Sequence, residues 1–138
     1  MDAVFCIPKM AVRIVRLGTP RHPREGVRLG TVRRPPRGVP KGRFAADDWY
    51  DVWLPNLAPS APLVAAALTA TDQAEWRRFT KRYTAEMARP ENARVLDALA
   101  ALSQQADFSV GCYCEDEERC HRSILRAILK RHGAKVVG

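Results

Sequence analysis

The segment Phe108-Ser109-Val110-Gly111-Cys112-Tyr113-Cys114-Glu115-Asp116-Glu117-Glu118-Arg119-Cys120-His121-Arg122-Ser123 decides how this chain is built. Phe108-Ser109-Val110 opens as a buried strand. Downstream, Ile124, Leu125, Ile128 and Leu129 recur at helical spacing until Gly133 supplies a stop. The unit is therefore strand, loop, helix. Alternate residues of a strand face one side, so Cys112 and Cys114 point together where the strand ends, and Cys120, His121 and Arg122 open the helix. The end of a strand and the start of a helix is where open α/β sheets bind ligands. A helix N-terminus also favours anions and lowers the pKa of a nearby thiol.

Working outward, Ala11–Leu17 predicts a first strand, the stretch near Gly26–Val32 a second and Trp49–Leu54 a third, ended by Pro55. Ser60 caps a short helix through Ala70. Thr71 or Asp72 opens a longer one, with Trp76, Phe79, Tyr83 and Met87 on its apolar face. Pro90 starts another helix, with Val95, Leu96, Leu99 and Leu102 on its apolar side, and Ala134–Val137 makes a last strand. Strands joined through helices imply one three-layer α/β domain over residues 1–138. Its sheet is small and mainly parallel, flanked by helices and covered on both faces.

The net charge of +8 is unevenly placed: residues 1–44 carry 11 Lys or Arg against two acids, the remainder 12 against 13. Within the basic third, residues 33–43 mix cations with prolines and glycines that exclude helix and central strand. This long loop is either a solvated surface or an anion clamp in which Arg33, Arg34 and Arg37, with Ser123, take a phosphate, nucleotide or nucleic acid. No aromatic residue interleaves with these arginines before Phe44, which argues against stacking on bases. No terminal segment resembles a signal peptide or membrane span, so the expectation is a cytoplasmic protein with reduced thiols and no membrane partner.

Taken together, Arg34-Pro35-Pro36-Arg37-Gly38, Trp53-Leu54-Pro55 with Ala58-Pro59-Ser60, the spaced Trp76, Phe79 and Tyr83, and Cys120-His121-Arg122-Ser123 resemble the domain of unknown function family 488 (DUF488), in its YeaO-like branch. The resemblance covers most of the chain. It implies a compact α/β fold and carries no established reaction, which leaves function to the residues.

Three readings compete for the cysteine segment. In a thiol-dependent enzyme, Cys120 or Cys114 is the nucleophile, activated by the helix terminus and Arg122, with His121 as acid or base; on this reading Cys120 has a depressed pKa. The spacing fits neither the Cys-x5-Arg phosphatase loop nor a Cys-x-x-Cys redox pair. In a metal site, Cys112, Cys114, Cys120 and His121 form a Cys3His set suited to tetrahedral zinc, although adjacent Cys120 and His121 diverge if both are helical. In a non-catalytic binding module, the thiols merely pack and the basic loop holds nucleic acid or a phosphorylated ligand. Cys6, His22 and His132 are read as structural, and the acids Glu115–Glu118 as a solvated turn.

Overall fold

A computed structural model describes residues 10–117 and 120–137. Cys6, Glu118 and Arg119 lie outside the described residues. Five strands, β1 (Val12–Arg16), β2 (Val27–Gly30), β3 (Val52–Trp53), β4 (Phe108–Cys112) and β5 (Val136–Val137), form one sheet in the order β3-β2-β4-β1-β5. Every pairing is parallel. The helices are α1 (Ala61–Thr69), α2 (Gln73–Met87), α3 (Pro90–Leu102) and α4 (His121–Arg131). Three of them fill the long crossover from β3 to β4, and α4 carries the chain from β4 to β5. This is the single α/β domain expected from the alternation of elements.

Each strand and helix predicted from the sequence is present, with small differences that have local causes. The third strand shrinks to Val52–Trp53 because Tyr50 turns inward to cover Gly30, where a Cβ would meet the Tyr50 ring at 2.3 Å. Asp72 caps α2 through the Glu75 N–H at 2.8 Å. Ser60 occupies the cap position of α1 without bonding through its hydroxyl, and its own N–H donates to Glu86 Oε1 at 2.9 Å.

β4 is the central strand and is buried throughout. On one face Phe108 and Val110 join Val12 and Ile14 of β1 in a core with Phe79, Tyr83 and Met87 of α2, Leu96 of α3, and Leu125 and Leu129 of α4. Burying such side chains contributes roughly 1.5–3 kcal/mol each. On the other face the third layer is loop. There Ser109 of β4 and its register partner Arg28 of β2 are both fully buried and share the carboxylate of Glu25. Arg28 also donates to the carbonyls of Thr19 and Asp48, at 3.0 and 2.6 Å. This ion pair ties three loop segments to the middle of the sheet. No helix among the described residues is long and apolar enough to cross a membrane.

Candidate functional site

The cysteine segment runs from the carboxyl end of β4 into α4. Cys112 is the last residue of the strand and is buried; Cys114 is exposed; Cys120 is buried; all three are free thiols. Cys120 is the N-cap of α4 and has extended backbone angles, φ −131° and ψ 151°. For this reason it does not diverge from His121, as it would within a regular helix. Its Sγ lies 3.8 Å from His121 Nδ1. The sulfurs of Cys112 and Cys120 and the imidazole lie within 4.8 Å of one another.

The second nitrogen of the histidine fixes its tautomer. His121 Nε2 stands 2.8 Å from the Thr31 carbonyl oxygen, which can only accept, so Nε2 carries the proton and Nδ1 turns a lone pair toward the sulfurs. Thr31 is itself anchored, its hydroxyl donating to the Gly111 carbonyl at 3.0 Å. The imidazole packs edge-to-face on Tyr83, with centroids 5.5 Å apart. Burial pushes its pKa down to about 4, against the opposing effect of the Thr31 hydrogen bond. It is neutral at physiological pH.

The three thiols are electrostatically coupled. Hydrogen bonds from Cys112 and Cys120 draw the Cys114 thiol well below its ordinary value, and the charge of Arg122 adds to this against partial burial. Cys112 is raised by its hydrogen bonds to the other two thiols and by burial. At Cys120 the hydrogen bond with Cys112 lowers the pKa, but the bond to Cys114 and burial prevail and leave it at about 11. The expectation of a depressed pKa at Cys120 is therefore overturned. Of the three, the exposed Cys114 sulfur is the one whose deprotonation these contacts favour.

Arg122 is buried, and its Nη2 donates to the Cys114 carbonyl. It holds the loop that carries Cys114. The acidic turn is not simply solvated: Glu117 makes a two-pronged pair with Arg126, at 2.7 and 2.9 Å, and Glu115 approaches Arg16 at 3.5 Å. Ser123 bonds back to the Cys120 carbonyl at 3.0 Å.

The thiols and His121 form one wall of a cavity of about 450 Å³, roofed by apolar side chains of α1 such as Val64 and Leu68, with Phe79 behind and Arg34 and Tyr113 at the side. Of the basic loop, Arg33 lies against this cavity but spends its guanidinium on the carbonyls of Pro55, Ala58 and Pro59, at 3.0–3.1 Å. It fastens the segment ahead of α1. Arg34 is exposed, and Arg37 lies on a neighbouring groove. Sequence reasoning missed Thr31, which sets the histidine, and Tyr113, whose hydroxyl donates to the Arg34 carbonyl at 2.7 Å. Only the position of Tyr113 between two cysteines hinted at it.

Fold and site together define a small α/β domain with a thiol and imidazole cluster at the carboxyl end of a parallel sheet. The chain matches the family model DUF488-N3a, described as the active DUF488-N3 subclade, over residues 12–133 and belongs to that family. No curated protein and no solved structure matches the chain.

Proposed function

We propose that the protein is a cysteine-dependent enzyme acting on a phosphorylated or otherwise anionic ligand, with Cys114 as its nucleophile. The observation that carries this reading is the convergence of three thiols and one imidazole on a cavity wall where Cys114 alone is exposed. A thiolate, not a thiol, attacks an electrophile. Here the S–H groups of Cys112 and Cys120 stabilise that thiolate, neutral His121 stands beside Cys120 with Nδ1 3.8 Å from its sulfur, and Arg122 positions the Cys114 backbone. Arg34, which makes no ion pair among the described residues, offers its guanidinium at the cavity edge for the anionic part of the ligand. The family's description as an active subclade agrees with a working site.

Iodoacetamide labelling followed by mass spectrometry tests the assignment. An ordinary cysteine is only a few per cent thiolate at pH 7, so Cys114 should label about tenfold faster than Cys112 or Cys120 in the folded protein. The Cys114→Ala variant should lose the fast phase. Prior labelling of Cys120 in the folded state would remove Cys114 from the role.

The mutual approach of Cys112, Cys120 and His121 within 4.8 Å favours a second reading, in which these three hold zinc and Cys114 or a substrate takes the fourth position. The Thr31 carbonyl, hydrogen-bonded to Nε2, orients the imidazole as zinc ligands are oriented. Protein purified without added metal would then contain about one zinc per chain, and a chelator would lower its melting temperature. Metal-free protein with an unchanged melting temperature would exclude this reading.

A further inference from the structure

A second hollow adjoins the cysteine cavity. Tyr113 and Arg34 line both; the neighbouring groove, of about 540 Å³, is completed by Trp49, Arg16, Arg37 and the turn at Gly18. Trp49 and Tyr113 meet edge-to-face with centroids 5.8 Å apart, so two aromatic rings stand together in a wall that also carries three arginines. Gly18 makes room for the indole: its φ is +85°, and a Cβ there would lie 2.8 Å from the Trp49 ring. Trp49 reaches the groove from just beyond residues 33–43, and Tyr113 from the residue after β4.

Of the groove's three arginines, two make no ion pair among the described residues. Arg21, Arg24, Arg28 and Arg43 each hold a carboxylate, and Arg16 approaches Glu115 at 3.5 Å. Among the described residues, Arg34 and Arg37 are exposed and form no ion pair. Two free guanidinium groups suit phosphate oxygens, and flat π-faces suit a heterocyclic base. The volume falls within the range of small-ligand sites.

We propose that the groove binds a nucleoside phosphate, its base against Trp49 and Tyr113 and its phosphate on Arg34 and Arg37, and so presents it to the cysteine cavity. This deepens the thiol-enzyme reading by naming the substrate class, and it rests on that reading for the reaction alone. The same chemistry is offered by a free mononucleotide and by the phosphorylated end of a nucleic-acid strand.

Calorimetric titration of the full chain with AMP, ribose 5-phosphate, phenyl phosphate and a 5′-phosphorylated single strand tests it. AMP should bind about tenfold more tightly than ribose 5-phosphate, and Trp49→Ala should remove that advantage. Because Trp49 is partly buried, the exposed pair Arg34→Ala with Arg37→Ala supplies an independent arm: it should weaken AMP about tenfold or more and flatten the salt dependence. A strand that binds no better than AMP identifies the free nucleotide as the ligand, and a strand that binds more tightly with a steeper salt dependence identifies a nucleic-acid end; either supports the proposal. Equal binding of phenyl phosphate or ribose 5-phosphate, or unchanged affinity in the arginine variant, would overturn it. Cys114 labelling, measured on the same samples without nucleotide, separates the two readings. Fast labelling with no AMP binding sinks the groove alone, and AMP binding with slow labelling sinks the thiol chemistry alone.

Discussion

Replacing Glu25 with alanine is expected to destabilise the domain by about 3–5 kcal/mol, because it leaves the Arg28 guanidinium buried without its counter-charge. Both side chains are almost wholly hidden, and the carboxylate also accepts from Ser109 at 2.7 Å and from the His22 N–H at 3.1 Å. Chemical denaturation of the variant reads the loss directly. A change below about 1 kcal/mol, the scale of a surface pair, would show that the pair does not hold the loop layer to the sheet. The same network sets a pH dependence. Burial pushes the Glu25 carboxyl up, but hydrogen bonds from Arg28, Ser109 and the His22 backbone outweigh it and leave the pKa below its ordinary value. Its contribution is therefore present above the unfolded carboxyl pKa and is lost as pH falls through the folded one. The denaturation midpoint of the native protein should decline on acidification below about pH 4.5, and the difference between native and variant should narrow there.

The second large effect belongs to Gly111, one residue before Cys112. A Cβ at this position would lie 2.6 Å from the Val15 carbonyl oxygen, with the Val15 and Leu17 side chains at 2.8 and 2.9 Å. Val15 is its register partner in β1, so the obstruction is backbone and cannot swing aside. The Gly111→Ala substitution should force β1 and β4 apart at a cost of about 3 kcal/mol, a fall of about 10 °C in melting temperature. It should also displace Cys112 from the other thiols and slow the fast phase of Cys114 labelling. The Gly42→Ala variant is the control, because a Cβ there meets nothing within 4 Å. Equal melting temperatures for the two variants would refute the packing argument.

The elements were legible in the sequence because they follow local rules. The apolar spacing of Phe79, Tyr83 and Met87, the cap at Asp72, Pro90 at a helix start and Gly133 at a helix end each act within a few residues. The thiol cluster was legible as a composition, since Cys112, Cys114, Cys120 and His121 lie within ten positions, but its geometry was not. Whether Cys120 and His121 diverge depends on Cys120 being a cap and not a helical residue, a matter of one ψ angle. The direction of the thiol pKa shifts was equally hidden, because it depends on which sulfur reaches solvent. The most distant relationships left the least trace. Arg33 resembles its neighbours in sequence yet folds inward onto three carbonyls, and Arg28 lies in a strand where a cation has no obvious partner until Glu25 and Ser109 meet it. Trp49 and Tyr113, about sixty residues apart in the chain, come together beside Arg34, so the absence of aromatic residues within the basic loop was a poor guide to its surroundings.

The strand order also governs when the site comes into being. β1 and β2 are close in sequence but do not touch in the sheet; β4 lies between them, pairing Val12 with Phe108 on one side and Val27 with Phe108 on the other. While the chain emerges from the ribosome, β2 can pair early with β3, but the junction of β1 with β2 waits for a segment roughly eighty to a hundred residues downstream. Such non-local pairing makes folding slow and late. The strand that joins β1 to β2 is the one that ends in Cys112. The segment that bridges the two halves of the sheet thus leads directly into Cys114, Cys120 and His121, and the thiols come together only once the sheet beside them is joined.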